Sequence, residues 1–577
     1  METSLTVKTE RLDDVPLLLA HLERMGVSAL LDKHFPSHSN WEGLSVGTIV
    51  CVWLSHILSE SDHCLDHVRP WVSEKLESLQ CLVSPRLKEL DFTDDRLGSI
   101  LTRLSAEASW SAFEAELSAH LLQVYDLKSV CVRHDSTTSS SFRSIASPSD
   151  QGENLFQYAH SKDHRPDLPQ LKVMLASLDP LGMPLGTEVL PGHYADDPLY
   201  IPSIERVQQT LEKRGLLHVG DAKLSALESR AFIVASGDAY LCPLSKKQFS
   251  QERLAPVLQA AFESQETLRE VSRLNAKGET LAIAEGFEHT QRLTAEANGG
   301  ELCWEERLFI VRSFQYAQAA QRGLDHRLEK AQSEIEALNS RGRGKQRPKN
   351  REALQQRIEA IIKHYKVGSL LAVDIQEIQK QQRLRRYKDR PDCVRSHWDF
   401  QLQARRLEAP YQQTLRELGW RIYATPLSEK QMTLEDAVLC YRNEFRIEHN
   451  FKRIKGALSL RPFHLTREDR IQGLLHLLTI ALRVLTLIEF SVRRQVQKQK
   501  IEIQGLYPGK PKRATATPTT EKLLEAFGNI QLSIVTLPQQ TLYHLNPLSP
   551  LQRTILELMQ LPLNTYDKIV DNSFKPP

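Results

Sequence analysis

The sequence lacks the signatures of several classes of protein. Its eight cysteines include no C-x-x-C pair, which argues against a zinc ribbon and against a disulfide-stapled secreted domain. The opening residues METSLTVKTERLDDVP contain no basic segment followed by an apolar one, so they do not predict a signal peptide. We therefore expect reduced, buried thiols and a cytoplasmic location.

Neither a large net charge nor an uninterrupted apolar run is present. Lys and Arg number 74 against 72 Asp and Glu, and the resulting charge of +2 gives no global attraction to nucleic acid, so any such binding must come from local patches. The most apolar stretch, residues 474–490, is interrupted by His476, Arg483 and Glu489. It is shorter than the roughly 20 apolar residues of a membrane span, so we expect a buried helix and no membrane partner.

The length of 577 residues and an ordinary composition, 41% hydrophobic and 25% charged, predict several globular domains. Helical spacing dominates the first part, and a period of two begins near Lys128. Three strands are expected there as an antiparallel meander with a turn at Pro180-Leu181-Gly182. The predicted domains are a helical DNA-binding domain (1–125), the first part of a catalytic core (126–246), an inserted domain with a helical hairpin (247–417), the second part of the core (418–500) and a C-terminal helical region (501–577).

Three carboxylates lie where a metal-dependent chemistry would need them. Asp135 and Asp221 end predicted strands, and Glu448 lies in a predicted helix that opens at Thr433 and continues through Lys455. Mg²⁺ prefers carboxylate oxygens and retains waters, so a phosphodiester-cleaving site needs a few acids on rigid elements. Two such ions can activate an attacking hydroxyl and stabilise the leaving oxygen.

Four segments together resemble a bacterial insertion-sequence transposase of the DDE type. They are VCVRHDST (130–137), HSKDHRPDL (160–168), VGDA (219–222) and YRNEFRIEHNFKRIK (441–455). The last is similar to a Y-R-E-K signature, with Tyr441, Glu448 and Lys455 at its spacing. Glu444 occupies the position of the signature arginine; either Arg446 or Arg442 takes the role of that arginine, or this subgroup functions without it.

The resemblance implies an α/β fold: an RNase H-like catalytic core with a mixed sheet, interrupted by an inserted α+β domain, plus helical N-terminal and C-terminal regions. It implies that Asp135, Asp221 and Glu448 bind two Mg²⁺ ions, with Mn²⁺ as a substitute. In the sequence itself, Glu444 is the main competitor of Glu448 for the third position. The implied activity is nicking and strand transfer at the ends of an insertion sequence, by cut-and-paste transposition through hairpin ends. The expected partners are double-stranded DNA, as terminal inverted repeats and target, and a second copy of the chain in a nucleoid-associated homodimer.

Basic and aromatic side chains in these segments and in two basic runs of the predicted insertion, 340–351 and 383–390, are the candidates for DNA contact. They are Tyr441, Arg446, Lys452, Lys455, Lys162, Arg165, Arg341, Arg343, Lys345, Arg385 and Arg386. For the loop 340–351, a flexible solvated segment is nearly as good an explanation as DNA contact. Two alternative functions stay open at this point: an RNase H-like nuclease without strand transfer, and a catalytically inactive DNA-binding protein derived from a transposase.

Overall fold

The computed structural model describes residues 6–37, 41–143, 145, 154–264, 268–274, 278–297, 299–340, 350–384, 393–537 and 540–572. The chain divides into two compact units. The first comprises Met1–Cys242, Thr294–Trp304 and Cys440–Pro577, and the second comprises Pro243–Leu293 and Glu305–Leu439. The predicted domain limits stay predictions, and the predicted DNA contacts Arg341, Arg343, Lys345, Arg385 and Arg386 lie outside the described residues.

The first unit opens with a strand and a set of helices. The strand is β1 (Thr6–Arg11), and the helices are α1 (Val15–Arg24), α2 (Val27–His34), α3 (Val46–Glu60), α4 (Leu65–Glu74), α5 (Leu76–Leu82), α6 (Asp94–Leu104) and α7 (Glu107–Val124). Helix α3 begins where the Ser45 hydroxyl accepts a hydrogen bond from the Thr48 amide, a typical N-cap. Every residue from Val46 to Leu58 except Thr48 is buried, so this helix forms the centre of the helical layer.

A mixed sheet follows, which confirms the predicted α/β class. Its strands are β2 (Cys131–Ser140), β3 (Gln170–Asp179), β4 (Met183–Pro191), β5 (Leu217–Val219) and β6 (Ala239–Pro243), in the order β4-β3-β2-β5-β6. The predicted meander is confirmed, because β2–β3 and β3–β4 pair antiparallel. Strand β5 pairs parallel with both β2 and β6. Helices α8 (Tyr200–Leu211) and α9 (Leu227–Ala235) make the connections that parallel strands require.

The second unit combines helices and antiparallel strands. In chain order these are α10 (Gln251–Glu263), β7 (Arg269–Leu274), most of β8 (Thr280–Ala297), most of β9 (Gly300–Ser313), α11 (Phe314–Ala337), α12 (Arg351–Tyr365), β10 (Leu371–Leu384), β11 (Cys393–Arg406), α13 (Glu408–Glu417), β12 (Trp420–Thr425) and most of α14 (Leu434–Arg442). The predicted helices at 316–338 and 351–365 are confirmed as α11 and α12. They pack through Leu324, Leu328, Leu354 and Ile358. The 14-residue strands β10 and β11 form a separate two-stranded ribbon.

The chain then returns to the first unit. The remaining elements are α15 (Phe445–Lys455), α16 (Glu468–Gln499), β13 (Ile503–Gln504), β14 (Ala514–Thr515), α17 (Thr520–Glu525), β15 (Gln531–Leu537), β16 (Gln540–Leu545), α18 (Pro550–Leu558) and α19 (Lys568–Asn572). Strand β15 pairs antiparallel with β1, so the two ends of the chain share one small sheet.

The single continuous helix predicted from Thr433 through Lys455 is wrong, because a turn separates α14 from α15. The amides of Asn443 and Glu444 donate to the carbonyls of Cys440 and Tyr441, three residues back instead of four. The apolar spacing continues across this turn, so periodicity alone does not reveal it. Tyr441 therefore belongs to a different helix from Glu448, and the two do not share one continuous face.

Helix α16 is long and apolar enough to cross a membrane by length and composition, but 94% of its most apolar 18-residue window is buried inside the protein. The polar residues that interrupt its apolar stretch, His476, Arg483 and Glu489, each contact other protein groups. His476 stacks on Trp110 with ring centroids 4.2 Å apart, and its Nδ1 lies 2.8 Å from the Leu104 carbonyl. The Glu489 carboxylate pairs with Arg453 and Arg493. These contacts are those of a core helix.

Arg483 of α16 joins three elements of the first unit. Its guanidinium lies 2.7 Å from the Glu114 carboxylate of α7 and donates to the Pro184 carbonyl of β4 at 3.1 Å. Neither side chain of the ion pair is exposed by more than 1%. The second Glu114 oxygen accepts from the Thr187 amide and lies 3.2 Å from Arg206 Nε. The pair therefore fixes the N-terminal helices and the sheet onto α16.

The prediction that the cysteines are buried is only partly correct. Among those whose side chains are described, Cys51 and Cys242 are buried, Cys303 is exposed and Cys64, Cys81, Cys131 and Cys440 are half-buried. Cys303 lies on β9 with mostly exposed neighbours, where no core is available to cover it.

Replacing Arg483 by Met should lower the free energy of unfolding by about 3 kcal/mol, because Glu114 would stay buried after losing its closest cation. Urea unfolding monitored by circular dichroism measures this change. Lys498→Met is the matched control, since Lys498 is exposed on the same helix, and it should change stability by less than about 0.5 kcal/mol. Equal stabilities of the two variants would contradict a central role for the pair.

Candidate functional site

Two aspartates lie on neighbouring parallel strands, Asp135 within β2 and Asp221 just after β5. The prediction that Asp135 ends its strand is wrong, because β2 continues to Ser140 through its pairing with β3. Strands β2 and β5 are in register with Arg133 opposite Val219. Asp135 and Asp221 each lie two residues beyond that pair, so both carboxylates occupy the same level. The structure brings these two predicted site residues together.

A narrow cleft contains both aspartates. Its lining consists of Arg133, His134, Asp135, Val219, Gly220, Asp221, Tyr441, Glu444 and Ile447. The turn between α14 and α15 thus supplies Glu444 to the cleft. Glu448 lies one helical turn further along α15, on an exposed position, and is not part of the lining.

Each aspartate is held by defined donors. Asp221 accepts hydrogen bonds from the Tyr200 hydroxyl at 2.7 Å and from the Lys223 amide at 2.8 Å. Asp135 accepts from the Ser136 amide at 2.7 Å, and the Lys162 ammonium lies 3.4 Å from the same oxygen. These contacts fix the carboxylates before any ligand arrives.

Burial and like charge act on the acids of the cleft. Burial raises the pKa of Asp135 to about 6; the Asp221 charge adds to this effect, and the Lys162 ammonium opposes it. The pKa of Glu444 is also raised, by burial first and then by the negative charges of Asp135, Glu448 and Asp221. A cation placed among these carboxylates would relieve the repulsion.

The donor set suits a hard divalent cation, because all its members are carboxylate oxygens. Among the residues that the structure describes, the only three side chains with ligand atoms within 4.8 Å of one another are Cys131, Asp179 and Cys440. Asp135, Asp221 and Glu444 are therefore more widely spaced than that limit. They line the narrow cleft as separate carboxylates and do not form a compact set of three ligand atoms.

The loop 160–168 joins the two sides of the site. Lys162 donates to the Ser136 carbonyl at 2.6 Å on β2, and Asp163 accepts from Lys455 of α15 at 2.7 Å. Asp163 also lies 3.2 Å from Arg461. The loop therefore positions α15 against the strand that carries Asp135.

The predicted DNA contacts occupy varied environments. Lys452 is exposed on α15, whereas Tyr441 is 8% exposed in the cleft wall. Arg446 is half-buried, and burial lowers the pKa of its guanidinium. Lys455 is paired with Asp163 and exposed Arg165 with Asp167, so a DNA phosphate would compete with these carboxylates.

Two residues beside the site were not predicted from the sequence. Tyr200 holds Asp221, and Asp196 accepts hydrogen bonds from the Ser136 hydroxyl and the Lys172 ammonium. Although burial raises it, the pKa of Asp196 is lowered on balance by Lys172, Lys162 and Ser136. The run Asp196-Asp197-Pro198 resembles an ordinary helix start, so no signal in the sequence separated these residues from structural ones.

Comparison with known proteins gives two similarities. Residues 7–117 match a family model described as "Domain of unknown function (DUF4277)", which corresponds to β1 through most of α7. Among solved structures, a cryo-EM structure of a piggyBac transposase synaptic complex with hairpin DNA aligns with 97% of this chain and 86% of that chain, at 7% identity and a TM-score of 0.34. A TM-score of this size does not establish a shared fold. No curated protein matches the chain.

The raised pKa of Asp135 predicts a pH-dependent gain in stability for Asp135→Asn. Ionised Asp135 destabilises the folded state above pH 6, and this penalty disappears as the pH falls below the unfolded value near 3.8. In EDTA, the variant should exceed the wild type by about 2 kcal/mol at pH 8 and by almost nothing at pH 4. Thermal unfolding at the two pH values measures the difference.

Asp95→Asn, at an exposed position on α6, controls for the removal of one carboxylate. If Asp135→Asn gained the same stability at both pH values, or if the control gained it too, the conclusion that ionised Asp135 destabilises the folded protein would be contradicted.

Proposed function

We propose that this chain is a DNA transposase of the DDE type, which cuts phosphodiester bonds at the ends of an insertion sequence and joins those ends to target DNA. The observation that supports this best is the shared cleft of Asp135 and Asp221, which lie at the same level of two neighbouring parallel strands. The sequence resemblance independently assigns these two aspartates to the same site.

We propose further that the sheet is an RNase H-like core. The order β4-β3-β2-β5-β6, with an antiparallel meander followed by two parallel strands, supports this assignment. The third acid enters from α14 and α15, after the chain has passed through the second unit. This connectivity matches a catalytic core with an insertion before its last carboxylate.

Asp135 and Asp221 would hold divalent metal ions, with Glu448 as the predicted third ligand and Glu444 as the alternative. Two Mg²⁺ ions supply activation of the attacking hydroxyl and stabilisation of the leaving oxygen. The chain itself orients Asp221 through Tyr200 and holds Asp135 beside Lys162. Lys162, Lys452 and Lys455 place positive charge around the acids, where a phosphate backbone would bind.

The proposed substrate is double-stranded DNA with terminal inverted repeats. Since two ends must be held for coordinated cutting, a homodimer on the paired ends is the simplest symmetric arrangement. A nuclease that cuts without joining is the second candidate, because the same acids perform hydrolysis. Products joined to target DNA would distinguish the transposase from this nuclease.

Asp135→Ala should abolish Mg²⁺-dependent cleavage of DNA that carries the repeats flanking this reading frame. Loss of metal contacts worth several kcal/mol corresponds to a rate reduction on the order of 10³-fold. Binding of the repeat DNA, measured by fluorescence anisotropy, should remain nearly unchanged, since phosphate contacts come from other residues. Cleavage by the variant at the wild-type rate would refute the site.

Glu448→Gln and Glu444→Gln together identify the third ligand. We expect the first to reduce cleavage on the order of 10³-fold, and the second by only about tenfold, because a neighbour of the ligands affects them indirectly. Each variant keeps the length of the glutamate side chain and replaces one carboxylate oxygen by an amide nitrogen. The reverse order of effects would assign the third position to Glu444, and the absence of any effect from either would leave the aspartates without a third acid.

A further inference from the structure

A second cluster of reactive side chains lies beside the carboxylate cleft in the first unit. Cys131 and Asp179 are opposite each other on β2 and β3, and Cys440 lies near the end of α14. Their sulfur and carboxylate oxygen atoms lie within 4.8 Å of one another. The two thiols are thus neighbours although 309 positions separate them in the chain.

Arg133 already provides the cation of this cluster. Its guanidinium lies 3.0 Å from an Asp179 oxygen and 3.7 Å from the Cys440 sulfur, and it also donates to the Cys440 carbonyl. The arginine side chain is 3% exposed. A metal ion would add a second positive charge beside a buried guanidinium, so the arrangement favours thiol chemistry over metal binding.

The cluster makes Cys440 the better nucleophile of the two. The Cys131 thiol and the Arg133 charge lower the pKa of Cys440, although burial opposes this shift. The pKa of Cys131 is raised, by its contact with the Cys440 thiol and by burial. The thiolate is the reactive form of cysteine. Both side chains are half-buried, so a small oxidant can reach them.

We propose that Cys131 and Cys440 form a peroxide-responsive thiol pair, and that its oxidation to a disulfide closes the neighbouring carboxylate cleft. The Cys440 thiolate attacks one oxygen of a hydroperoxide, which breaks the O–O bond and gives a sulfenic acid and, after protonation, water or an alcohol. The Cys131 sulfur then attacks the sulfenic sulfur, so that the S–S bond forms, the S–O bond breaks and water leaves with the thiol proton. Two thiols lose two electrons in total, and the peroxide gains them.

The position of the pair connects this oxidation to the site, and this step rests on the proposed function. Cys440 directly precedes Tyr441 of the cleft wall, and Cys131 lies four residues before Asp135 on the same strand. A disulfide requires the sulfur atoms to approach to about 2.05 Å, closer than any non-bonded contact. The end of α14 is therefore drawn toward β2, and the cleft between them narrows.

Peptide mapping tests the chemistry without any activity assay. The full-length protein is treated with hydrogen peroxide, blocked with N-ethylmaleimide and digested with trypsin without reduction. We expect one new species that links SVCVR (129–133) to QMTLEDAVLCYR (431–442), each of which contains a single cysteine. Two thiols per chain should disappear, and dithiothreitol should restore both.

Variants make the assignment specific. C131S and C440S should both prevent the linked species, while C303S, which removes an exposed thiol, should leave it unchanged. Three results would overturn the proposal: retention of all thiols by the treated wild type, a link to a different cysteine, or bound zinc that protects both thiols from peroxide. The wild-type measurement is informative even where a variant fails to fold.

Cleavage assays test the effect on the cleft separately. The oxidised wild type should cut the repeat DNA at least tenfold more slowly than the reduced protein, and dithiothreitol should restore the rate. C131S should keep its rate after peroxide treatment. Full activity of fully linked protein would refute closure of the cleft, whereas the absence of cleavage by the reduced wild type would count against the proposed function and leave the peptide result standing.

Discussion

The parallel pairing of β2 with β5 is the constraint on which the site depends. A parallel pair directs both strands toward the same edge, and the observed register places Asp135 and Asp221 at one level there. An antiparallel pair would have sent the second aspartate to the opposite edge. Strand β5 is short, Leu217–Val219, and pairs on both sides with β2 and β6. The position of Asp221 therefore depends on the pairing of β5 with β2 and β6 more than on the length of β5.

Charge is arranged around this edge in two layers. Acids line the cleft, and burial followed by the negative charge of neighbouring acids raises the pKa of Asp135 and of Glu444. Lysines stand at its border and are themselves engaged, Lys162 with Asp135 and Lys455 with Asp163. An acidic centre alone would repel a phosphate backbone, so the bordering cations are needed for nucleic acid to approach metal-binding acids. The adjacent positions of Lys162 and Asp163 in one loop keep β2 and α15 in a fixed relation.

The sequence predicts best where local pattern and packing agree. The meander β2-β3-β4 was predictable because strand-like segments are joined by the turn residues Pro180-Leu181-Gly182. Helices α11 and α12 were predictable from their helix-forming residues. The ribbon β10–β11 was not, since strands such as LAVDIQEIQKQQRL carry mostly polar side chains and offer little apolar alternation. Asp221 was predictable as an acid that follows a strand, whereas Asp135 lies inside β2, because the polar residues 136–140 continue the strand by pairing with β3. The presence of Glu444 in the cleft depends on a turn with three-residue hydrogen bonds, which leaves the apolar spacing unchanged.

Alternation along β2 unites the remaining features of the first unit. Side chains at 131, 133 and 135 share one face of the strand, and those at 132, 134 and 136 share the other. The first face meets α14, through the contacts of Arg133 with Cys440 and through the cleft that Asp135 shares with Tyr441. On the second face, His134 lies 2.9 Å from the Ser203 hydroxyl of α8 and 2.9 Å from His218 of β5. Side-chain contacts therefore hold β2 from both of its faces. Residues 131–135 of β2 therefore include one thiol of the pair, the arginine beside it and the proposed metal-binding Asp135.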